Sequence, residues 1–171
     1  MQNDATAPGW RIDESVRAET IAAHDLELLG QDPALNRITG FAAALCNAPV
    51  ALVTVIEESC QRLIARTGTD MLETPREVSF CQFTMIGDDV MVVPDATLDP
   101  RFAANPLVTG DPRIRFYAGA PIVTSDGVPL GSLCVIDMAP RDGLTPVQAQ
   151  GLTVLAEAVM QRFDRNRRLP A

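Results

Sequence analysis

The segment 116–137 constrains the fold more than any other part of the chain. It reads FYAGAPIVTSDGVPLGSLCVID, with two runs of β-branched, aromatic and small residues on either side of Asp126 and Gly127. An Asp-Gly pair tolerates the positive φ that a tight hairpin turn requires. The second run ends in Cys134 to Asp137 (CVID), which is too apolar for a strand covered by water. We therefore predict a β-hairpin at the centre of a sheet.

Hydrophobic periodicity and capping residues predict the other elements. Asp32 and Pro33 match an N-cap followed by proline at the first helical position, and Thr145 begins the same pattern with Gln148 completing a capping box. The predicted helices cover residues 13–29, 33–47 and 145–168, the predicted strands cover 50–57, 60–66 and 91–93, and 67–76 is predicted to be a loop. This order indicates an α+β domain with an antiparallel sheet.

The hairpin segment resembles the last two strands of a GAF domain, a small sensory module of bacterial signalling proteins. VSFCQFTM at 78–85 and VVPDATLDPRFAANPLV at 92–108 are similar to the same family and occur in the same order. The resemblance spans residues 32–168. It implies a sheet of five or six antiparallel strands, with the terminal helices on one face and irregular segments covering a pocket on the other.

Length and charge limit the classes of partner. A chain of 171 residues suits one domain, and we expect residues 13–171 to form it and residues 1–12 to be disordered. The net charge is −8 and there is no lysine, which argues against nucleic acid because phosphate contacts need a basic surface. No run approaches the roughly 18 apolar residues of a membrane span, and the N-terminus lacks a signal-peptide pattern. We expect a cytoplasmic protein without a membrane or nucleic-acid partner.

The potential metal ligands are few and scattered. The four cysteines, at positions 46, 60, 81 and 134, show no CxxC spacing, and His24 is the single histidine. A zinc site needs about four clustered nitrogen or sulfur ligands, so we expect no metal site. Cys46 and Cys134 lie in apolar contexts and are interpreted as small core residues.

The segment 95–114 is the candidate wall of a ligand pocket. It contains three prolines and too little periodicity for a long helix, yet enough apolar residues to pack. Long irregular segments of compact domains are often functional, so we interpret this one as a lid. Phe116 and Tyr117 must point to opposite faces of their strand, which makes Tyr117, with its polar tip, the candidate on the pocket side. The candidate ligand-binding residues are Cys81, Phe83, Phe102, Asn105, Val108, Arg115 and Tyr117.

Cys81 is the candidate reactive group of this site. Ser79 and Gln82 match a capping box, which predicts a helix with Cys81 in its first turn. The positive end of a helix dipole lowers a thiol pKa and favours an anionic ligand, and Arg115 adds a matching charge. Two roles stay open for Cys81: a thiolate that acts as redox sensor or ligand anchor, and a small side chain that fills the pocket wall.

The resemblance also limits the ligand. Photoreceptors of the family attach a bilin through a cysteine that histidine usually follows, whereas Gln82 follows Cys81 in this chain. Phe83 replaces the histidine of a Phe-Cys-x-His segment that is common in related bacterial domains. Cyclic-nucleotide receptors of the family carry an Asn-Lys-x-x-x-Asp-Glu type motif, which a chain without lysine cannot contain. A bilin, a histidine-dependent ligand and cyclic GMP bound through that motif are therefore disfavoured.

The function implied by the resemblance is that of a sensory module. It binds a small ligand and passes a signal through its terminal helices to a histidine kinase or diguanylate cyclase output domain, in cis or in trans. A stripe of Leu152, Leu155, Val159 and Phe163 is either domain core or half of a dimer interface, and we predict a homodimer through those helices. Two alternatives remain: a structural dimerisation module with an empty pocket, and a cysteine-based free methionine sulfoxide reductase, which needs two thiols within disulfide reach. We expect no catalytic residues, and the residues identify neither the ligand nor a cofactor.

Overall fold

The computed structural model describes residues 13–167. The segment 1–12, predicted to be disordered, lies outside the described residues, as do residues 168–171. The strands are β1 (Val50–Ile56), β2 (Cys60–Thr67), β3 (Glu73–Pro75), β4 (Met91–Val93), β5 (Phe116–Val123) and β6 (Pro129–Asp137). They form one antiparallel sheet in the order β3-β2-β1-β6-β5-β4. The predicted α+β class is confirmed, and the sheet, predicted to have five or six antiparallel strands, has six.

The predicted hairpin lies at the centre of that sheet. Gly127 adopts a φ of 83° in the turn between β5 and β6, a conformation that favours glycine. Strand β6 pairs with β1 on one side and β5 on the other, and Cys134 lies opposite Leu52 and Gly119. The apolar end of the hairpin is therefore covered by neighbouring strands, as its composition predicts.

Helices of different length cover the two faces of the sheet. The larger ones are α1 (Glu14–Ala22), α2 (Leu26–Gly30), α3 (Pro33–Cys46) and α6 (Pro146–Arg165). The other face carries two one-turn helices, α4 (Cys81–Thr84) and α5 (Pro106–Thr109), and 3-10 turns at Arg76–Val78 and Ala96–Leu98. Among the helices of residues 13–167, none is both long and apolar enough to cross a lipid bilayer.

Two hydrophobic clusters form because strand side chains alternate between the faces. Phe116 and Ala118 enter the cluster beneath α1, α2, α3 and α6, here called the helix-side core, whereas Tyr117 points the other way. The lid-side cluster consists of Leu52, Ile56, Leu63, Phe80, Cys81, Met85, Val93, Ala96, Phe102, Val108, Ile114, Tyr117 and Cys134. The predicted opposition of Phe116 and Tyr117 is confirmed.

Capping explains where the two longest helices begin. The Asp32 carboxylate accepts the Ala34 N–H at 2.9 Å, with Pro33 at the first helical position of α3. The Thr145 hydroxyl accepts the Gln148 N–H, and the Gln148 side chain accepts the Thr145 N–H, which completes the predicted capping box of α6. Both predictions from the sequence are confirmed.

Two predictions of secondary structure are wrong. The predicted helix 13–29 is two helices, because the His24 backbone bridges to Arg167 beyond α6 and the Asp25 carboxylate caps α2 by accepting the Leu28 N–H. Within the predicted loop 67–76, residues Glu73–Pro75 pair with β2 as the edge strand β3. Both corrections come from contacts with distant parts of the chain.

The apolar stripe of α6 belongs to the domain's own core. Leu152, Val159 and Phe163 are fully buried, and Leu155 is half-buried against the same cluster. These side chains pack against the sheet and against α3, so they are not available to a second copy. The stripe therefore does not support the predicted dimer, which stays a prediction. The exposed apolar side chains of α6 are Val147 and Val154.

Candidate functional site

Five of the seven candidate residues meet in the lid-side cluster. Cys81, Phe102, Val108 and Tyr117 are buried there, and the half-buried Phe83 packs against them. Helix α4 supplies Cys81 and Phe83, the lid segment 95–114 supplies Phe102 and Val108, and β5 supplies Tyr117. Asn105 and Arg115 lie at the rim, where both bind backbone carbonyls.

The Tyr117 hydroxyl is the centre of a buried polar network. It lies 2.7 Å from the Thr84 hydroxyl and 3.3 Å from the Ser132 hydroxyl, and it donates to the Cys81 Sγ at 3.2 Å. Cys81 Sγ in turn lies 3.8 Å from Cys134 Sγ. Buried polar groups are usually hydrogen-bonded, and this network satisfies them inside an otherwise apolar cluster.

Gly119 makes room for that hydroxyl. It lies two residues after Tyr117 on the same face of β5, and a Cβ there would lie 2.5 Å from the Tyr117 oxygen and 3.0 Å from its ring. The tyrosine ring therefore folds over Gly119, which lets the hydroxyl reach across to Ser132 and Cys134 on β6. A side chain at position 119 would push the ring away from these partners.

Aromatic rings fill the space between the lid and the sheet. The Phe80 and Phe102 rings stack with centroids 4.0 Å apart, and Phe83 meets Phe102 edge-on at 5.3 Å. Phe80 also lies 5.3 Å from the Tyr117 ring. Stacked and edge-to-face ring pairs add to the stability of a cluster beyond simple burial. A ligand that reaches Tyr117 therefore has to displace at least one ring.

The rim residues fasten the lid rather than face a ligand. Arg115 Nη1 donates to the Val108 carbonyl at 3.0 Å, and the Asn105 side-chain amide donates to the Val78 carbonyl at 3.0 Å. The Asn105 side-chain oxygen also accepts the Leu107 N–H, which caps α5. These contacts hold the part of the lid around α5 to the residue before β5 and to the turn before α4.

The argument for an anionic ligand is not supported by this geometry. Helix α4 is one turn long and its N-cap is Phe80, without a side-chain cap, so its dipole is small. Ser79 does accept the Gln82 N–H at 3.3 Å, and Cys81 does begin the helix, but the predicted capping box is incomplete. Ser79 Oγ instead donates to the Gln61 side chain at 2.6 Å, which fixes the turn before α4 to strand β2.

Hydrogen bonding distinguishes the two thiols of the site. Burial raises the pKa of Cys81, but hydrogen bonds to its sulfur outweigh burial and lower the pKa to about 7. The groups that make these bonds are Cys134, Ser132, Thr54 and Tyr117. The same contact with Cys81, together with burial, raises the pKa of Cys134 well above its ordinary value. Of the two thiols, Cys81 is the one that ionises first.

Sequence reasoning missed three members of the site. Phe80, Thr84 and Ser132 surround Tyr117 but were not among the candidates. Ser132 lies two residues before Cys134 on β6, so the alternation of the strand places both on the face that Tyr117 shares. That alternation is a signal the sequence contains. The contribution of Phe80 and Thr84 depends on how α4 docks, which no local pattern indicates.

A buried arginine connects this site to the N-terminal helix. Arg17 of α1 is 1% exposed and donates to the carbonyls of Ile56 at 2.6 Å and Pro129 at 2.9 Å. Its guanidinium also lies 3.4 Å from the sulfur of Met85, a member of the lid-side cluster. Arg17 thus contacts the end of β1, the start of β6 and the residue that follows α4.

Within residues 13–167, no group of three or more histidine, cysteine, aspartate or glutamate side chains is arranged to hold a metal ion.

Comparisons with known proteins identify relatives at two levels. Residues 31–163 match a family described as GAF domain. The chain is 42% identical over 156 residues to a Pseudomonas aeruginosa protein named as a cyclic di-GMP phosphodiesterase, an alignment that covers 91% of the chain and 27% of the relative. The chain therefore spans about a quarter of the length of that relative.

Solved structures share the fold at low sequence identity. A type II free methionine-R-sulfoxide reductase from Thermoplasma acidophilum superposes with a TM-score of 0.65 at 15% identity, covering 84% of this chain and 99% of that one. The GAF domain of an Acinetobacter phosphoenolpyruvate-protein phosphotransferase gives a TM-score of 0.65 at 15% identity, covering 88% and 89%. At these identities the similarity shows the fold alone.

Proposed function

The chain belongs to the GAF domain family, and from that premise we propose that it is a ligand-binding regulatory domain of a bacterial signalling protein. The ligand binds in the lid-side cluster, between the lid segment 95–114 and the sheet. Its binding moves α4 and the lid, and the change reaches the terminal helices α1 and α6. In this proposal the domain supplies no catalytic residue of its own and acts on an output domain.

The observation that carries this proposal is the polar network around Tyr117. A cluster that served only as a core would avoid burying several hydroxyl and thiol groups, because each loses its water and needs a protein partner. Here Tyr117, Thr84 and Ser132 bring three hydroxyl groups together beneath a stack of phenylalanine rings. We infer that the ligand is a small planar molecule that replaces one ring and hydrogen-bonds through its edge to these hydroxyls.

The contacts of Arg17 support the route of the signal. Met85 directly follows α4, and its sulfur lies 3.4 Å from the Arg17 guanidinium. A shift of α4 on ligand binding would change that contact. It would thereby change how α1 packs against β1 and β6. A second link runs from Glu14 of α1 to Arg76, at 2.8 Å, in the 3-10 turn that precedes α4. Both links join the ligand face to the same helix.

The proposed output is the turnover of cyclic di-GMP. The support is the 42% identity over 156 residues to a protein named as a cyclic di-GMP phosphodiesterase, of which this chain matches only 27%. A domain that matches a quarter of such a protein is suited to regulate it from the same polypeptide. The resemblance led us to expect a histidine kinase or diguanylate cyclase as the output domain. We now favour a domain that hydrolyses cyclic di-GMP.

A homodimer is also part of the proposal, through a different surface from the stripe of α6. Phe41 on α3 is 59% exposed, and Val147 and Val154 on α6 are 70% and 54% exposed. Helices α3 and α6 pack side by side, and Gly151 lies against Leu45 between them. The parts of these helices at 38–46 and 146–156 contain no charged side chain, and the exposed Arg37 and Glu157 flank them; a surface low in charge favours contact between two copies that each carry a net charge of −8. Val154→Arg tests this surface, with light scattering as the measurement.

The regulatory role can be tested in a chimaera. This chain replaces the segment that it matches in the Pseudomonas relative, and hydrolysis of cyclic di-GMP is measured. Phe102→Ala opens the ring stack, Arg17→Met breaks the link to α1, and Arg37→Met, on the exposed side of α3, is the control. We expect the first two to change the rate about fivefold or more and the control to leave it unchanged. Equal rates in all four proteins, with folding intact, would contradict the proposal.

Ligand binding is measured separately. Native mass spectrometry of the purified chain should detect a retained small molecule, and Tyr117→Phe should reduce its occupancy because the hydroxyl is lost. Identical occupancy in the two proteins would show that the molecule binds elsewhere.

A further inference from the structure

We propose that Cys81 and Cys134 form a reversible disulfide bond when the protein meets a hydroperoxide, so that the lid-side cluster contains an oxidisable pair of thiols. This inference goes beyond the proposed function, because it requires neither a ligand nor an output domain. It rests on the placement of two sulfur atoms and of the groups that surround them.

The two sulfurs are close and both are unbonded. Cys81 Sγ and Cys134 Sγ lie 3.8 Å apart, and neither cysteine is in a disulfide. A disulfide bond is about 2.05 Å long, so the sulfurs have to approach by about 1.8 Å. Cys134 is fixed on β6, the strand between β1 and β5, whereas Cys81 begins a one-turn helix. Closure therefore moves α4 toward the sheet.

The surroundings give the two thiols different roles. The Tyr117 hydroxyl donates to Cys81 Sγ at 3.2 Å, a contact that stabilises a thiolate there. The pKa of Cys81 is lowered to about 7 by this and similar bonds, whereas that of Cys134 is raised. Since the thiolate is the nucleophile, Cys81 attacks the peroxide and Cys134 resolves the product.

The reaction balances in two steps. The Cys81 thiolate attacks one oxygen of hydrogen peroxide, the O–O bond breaks, and sulfenic acid and hydroxide form. The Cys134 sulfur then attacks the sulfenic sulfur, the S–S bond forms, and the S–O bond breaks with loss of water. Hydroxide takes up the proton that Cys81 released on ionisation. The two thiols are oxidised by two electrons in total, and hydrogen peroxide is reduced to two molecules of water.

The other cysteines are placed less favourably. The Cys60 thiol donates to the Glu57 carboxylate at 3.2 Å, and burial together with that carboxylate raises its pKa. Cys46 is fully buried in the helix-side core, where burial raises its pKa as well. Neither environment stabilises a thiolate, so oxidation should select the pair Cys81 and Cys134.

The test uses the chain with Cys60→Ser, which removes the one half-exposed thiol and so prevents cross-links between copies. Treatment with hydrogen peroxide should lower the intact mass by that of two hydrogen atoms, and dithiothreitol should restore it. Digestion after alkylation, without reduction, should give a linked peptide pair that contains residues 81 and 134. Cys46→Ser, the matched control, should behave identically, whereas Cys81→Ser and Cys134→Ala should show no loss of two hydrogens.

The outcome is decisive without the variants, because the peptide analysis also applies to the native chain. Alkylation of both Cys81 and Cys134 after oxidation, or a disulfide that involves Cys46 or Cys60 instead, would overturn the proposal. The rate of disulfide formation should rise about tenfold from pH 6 to pH 8, as the thiolate of a group with a pKa of about 7 becomes the main form. A rate independent of pH would overturn the assignment of Cys81 as nucleophile.

Discussion

Replacement of Arg17 by methionine tests how α1 is held on the sheet. The guanidinium is 1% exposed and donates to the backbone carbonyls of Ile56 and Pro129. Methionine retains much of the apolar packing but leaves both carbonyls without these donors, at about 1–3 kcal/mol each. Removal of a buried charge recovers part of that, since burial lowers the pKa of Arg17 and so disfavours its charged form. We expect a net loss of about 3 kcal/mol in the free energy of unfolding.

The measurement is thermal and urea unfolding followed by circular dichroism. For a domain of this size, a loss of about 3 kcal/mol lowers the melting temperature by about 6–12 °C. Hydrogen exchange should show the largest increase at the amides of α1, because that helix loses its attachment to β1 and β6. Arg37→Met is the matched control: Arg37 is exposed on α3, so its loss should change stability by less than about 0.5 kcal/mol.

The reasoning would be refuted by a specific result. A melting temperature for Arg17→Met within about 2 °C of the wild type, with unchanged exchange in α1, would mean that the buried hydrogen bonds contribute little to stability. The same result would remove the main support for a signal that passes from α4 to α1.

Three further predictions concern charge, space and chemistry. Asp32 pairs with Arg162 at 2.7 Å. Burial raises the pKa of Asp32, but hydrogen bonds from the Ala34 N–H and from Arg162 outweigh burial and hold that pKa below its ordinary value of 3.8. The ion pair therefore stabilises the fold above pH 3.8, and this stabilisation is lost as the pH falls below 3.8. Asp32→Asn, which keeps the cap, should cost about 1–3 kcal/mol at pH 6 in urea unfolding, and a deficit that persists undiminished at pH 3 would contradict this. Gly131→Ala places a Cβ 1.9 Å from the Thr54 carbonyl oxygen and should lower the free energy of unfolding by about 3 kcal/mol or more. Gly30→Ala, whose Cβ would lie 3.8 Å from the nearest atom, should lower it little. Equal stability of the two variants would show that the strands move apart to accept the Cβ at position 131. Free methionine sulfoxide should not be turned over in a thioredoxin-coupled assay, because the stacked Phe80 and Phe102 rings fill the space in the lid-side cluster that so large a substrate needs, and turnover that Cys81→Ser abolishes would disprove this.

Local patterns predicted the parts of the fold that local interactions determine. Neighbouring residues determine three of these features: the hairpin turn at Gly127, the cap of α3 at Asp32 and the capping box of α6. The alternation of β5 likewise placed Phe116 and Tyr117 on opposite faces. In each case the residues that specify the conformation lie within one turn or one strand of it.

The failures have a common physical cause, which is that they depend on contacts between distant segments. The break after α1 follows from a backbone bridge between His24 and Arg167, and β3 exists because β2 offers an unpaired edge. The sequence of α1 is only weakly amphipathic and does not indicate that Arg17 is buried. The burial of Arg17 follows from the packing of α1 against β1 and β6.

The sequence indicated where the candidate site lies better than it indicated which contacts the site contains. Cys81, Phe102 and Tyr117 lie in one cluster beneath the lid, where the composition of the lid and the alternation of β5 suggested a site. The polar network and the ring stack depend on the docking of α4, so neither the partners of Tyr117 nor the filled space was visible in the sequence. Ligand binding by the candidate residues stays a prediction.

The sheet ends on both sides in strands of only three residues. Strand β3 finishes at Pro75, and β4 is followed directly by Pro94. Proline has no N–H to offer a further strand, and a short edge presents few free backbone groups to an incoming chain. Both borders are therefore poor templates for strand addition, which protects the domain from edge-to-edge aggregation.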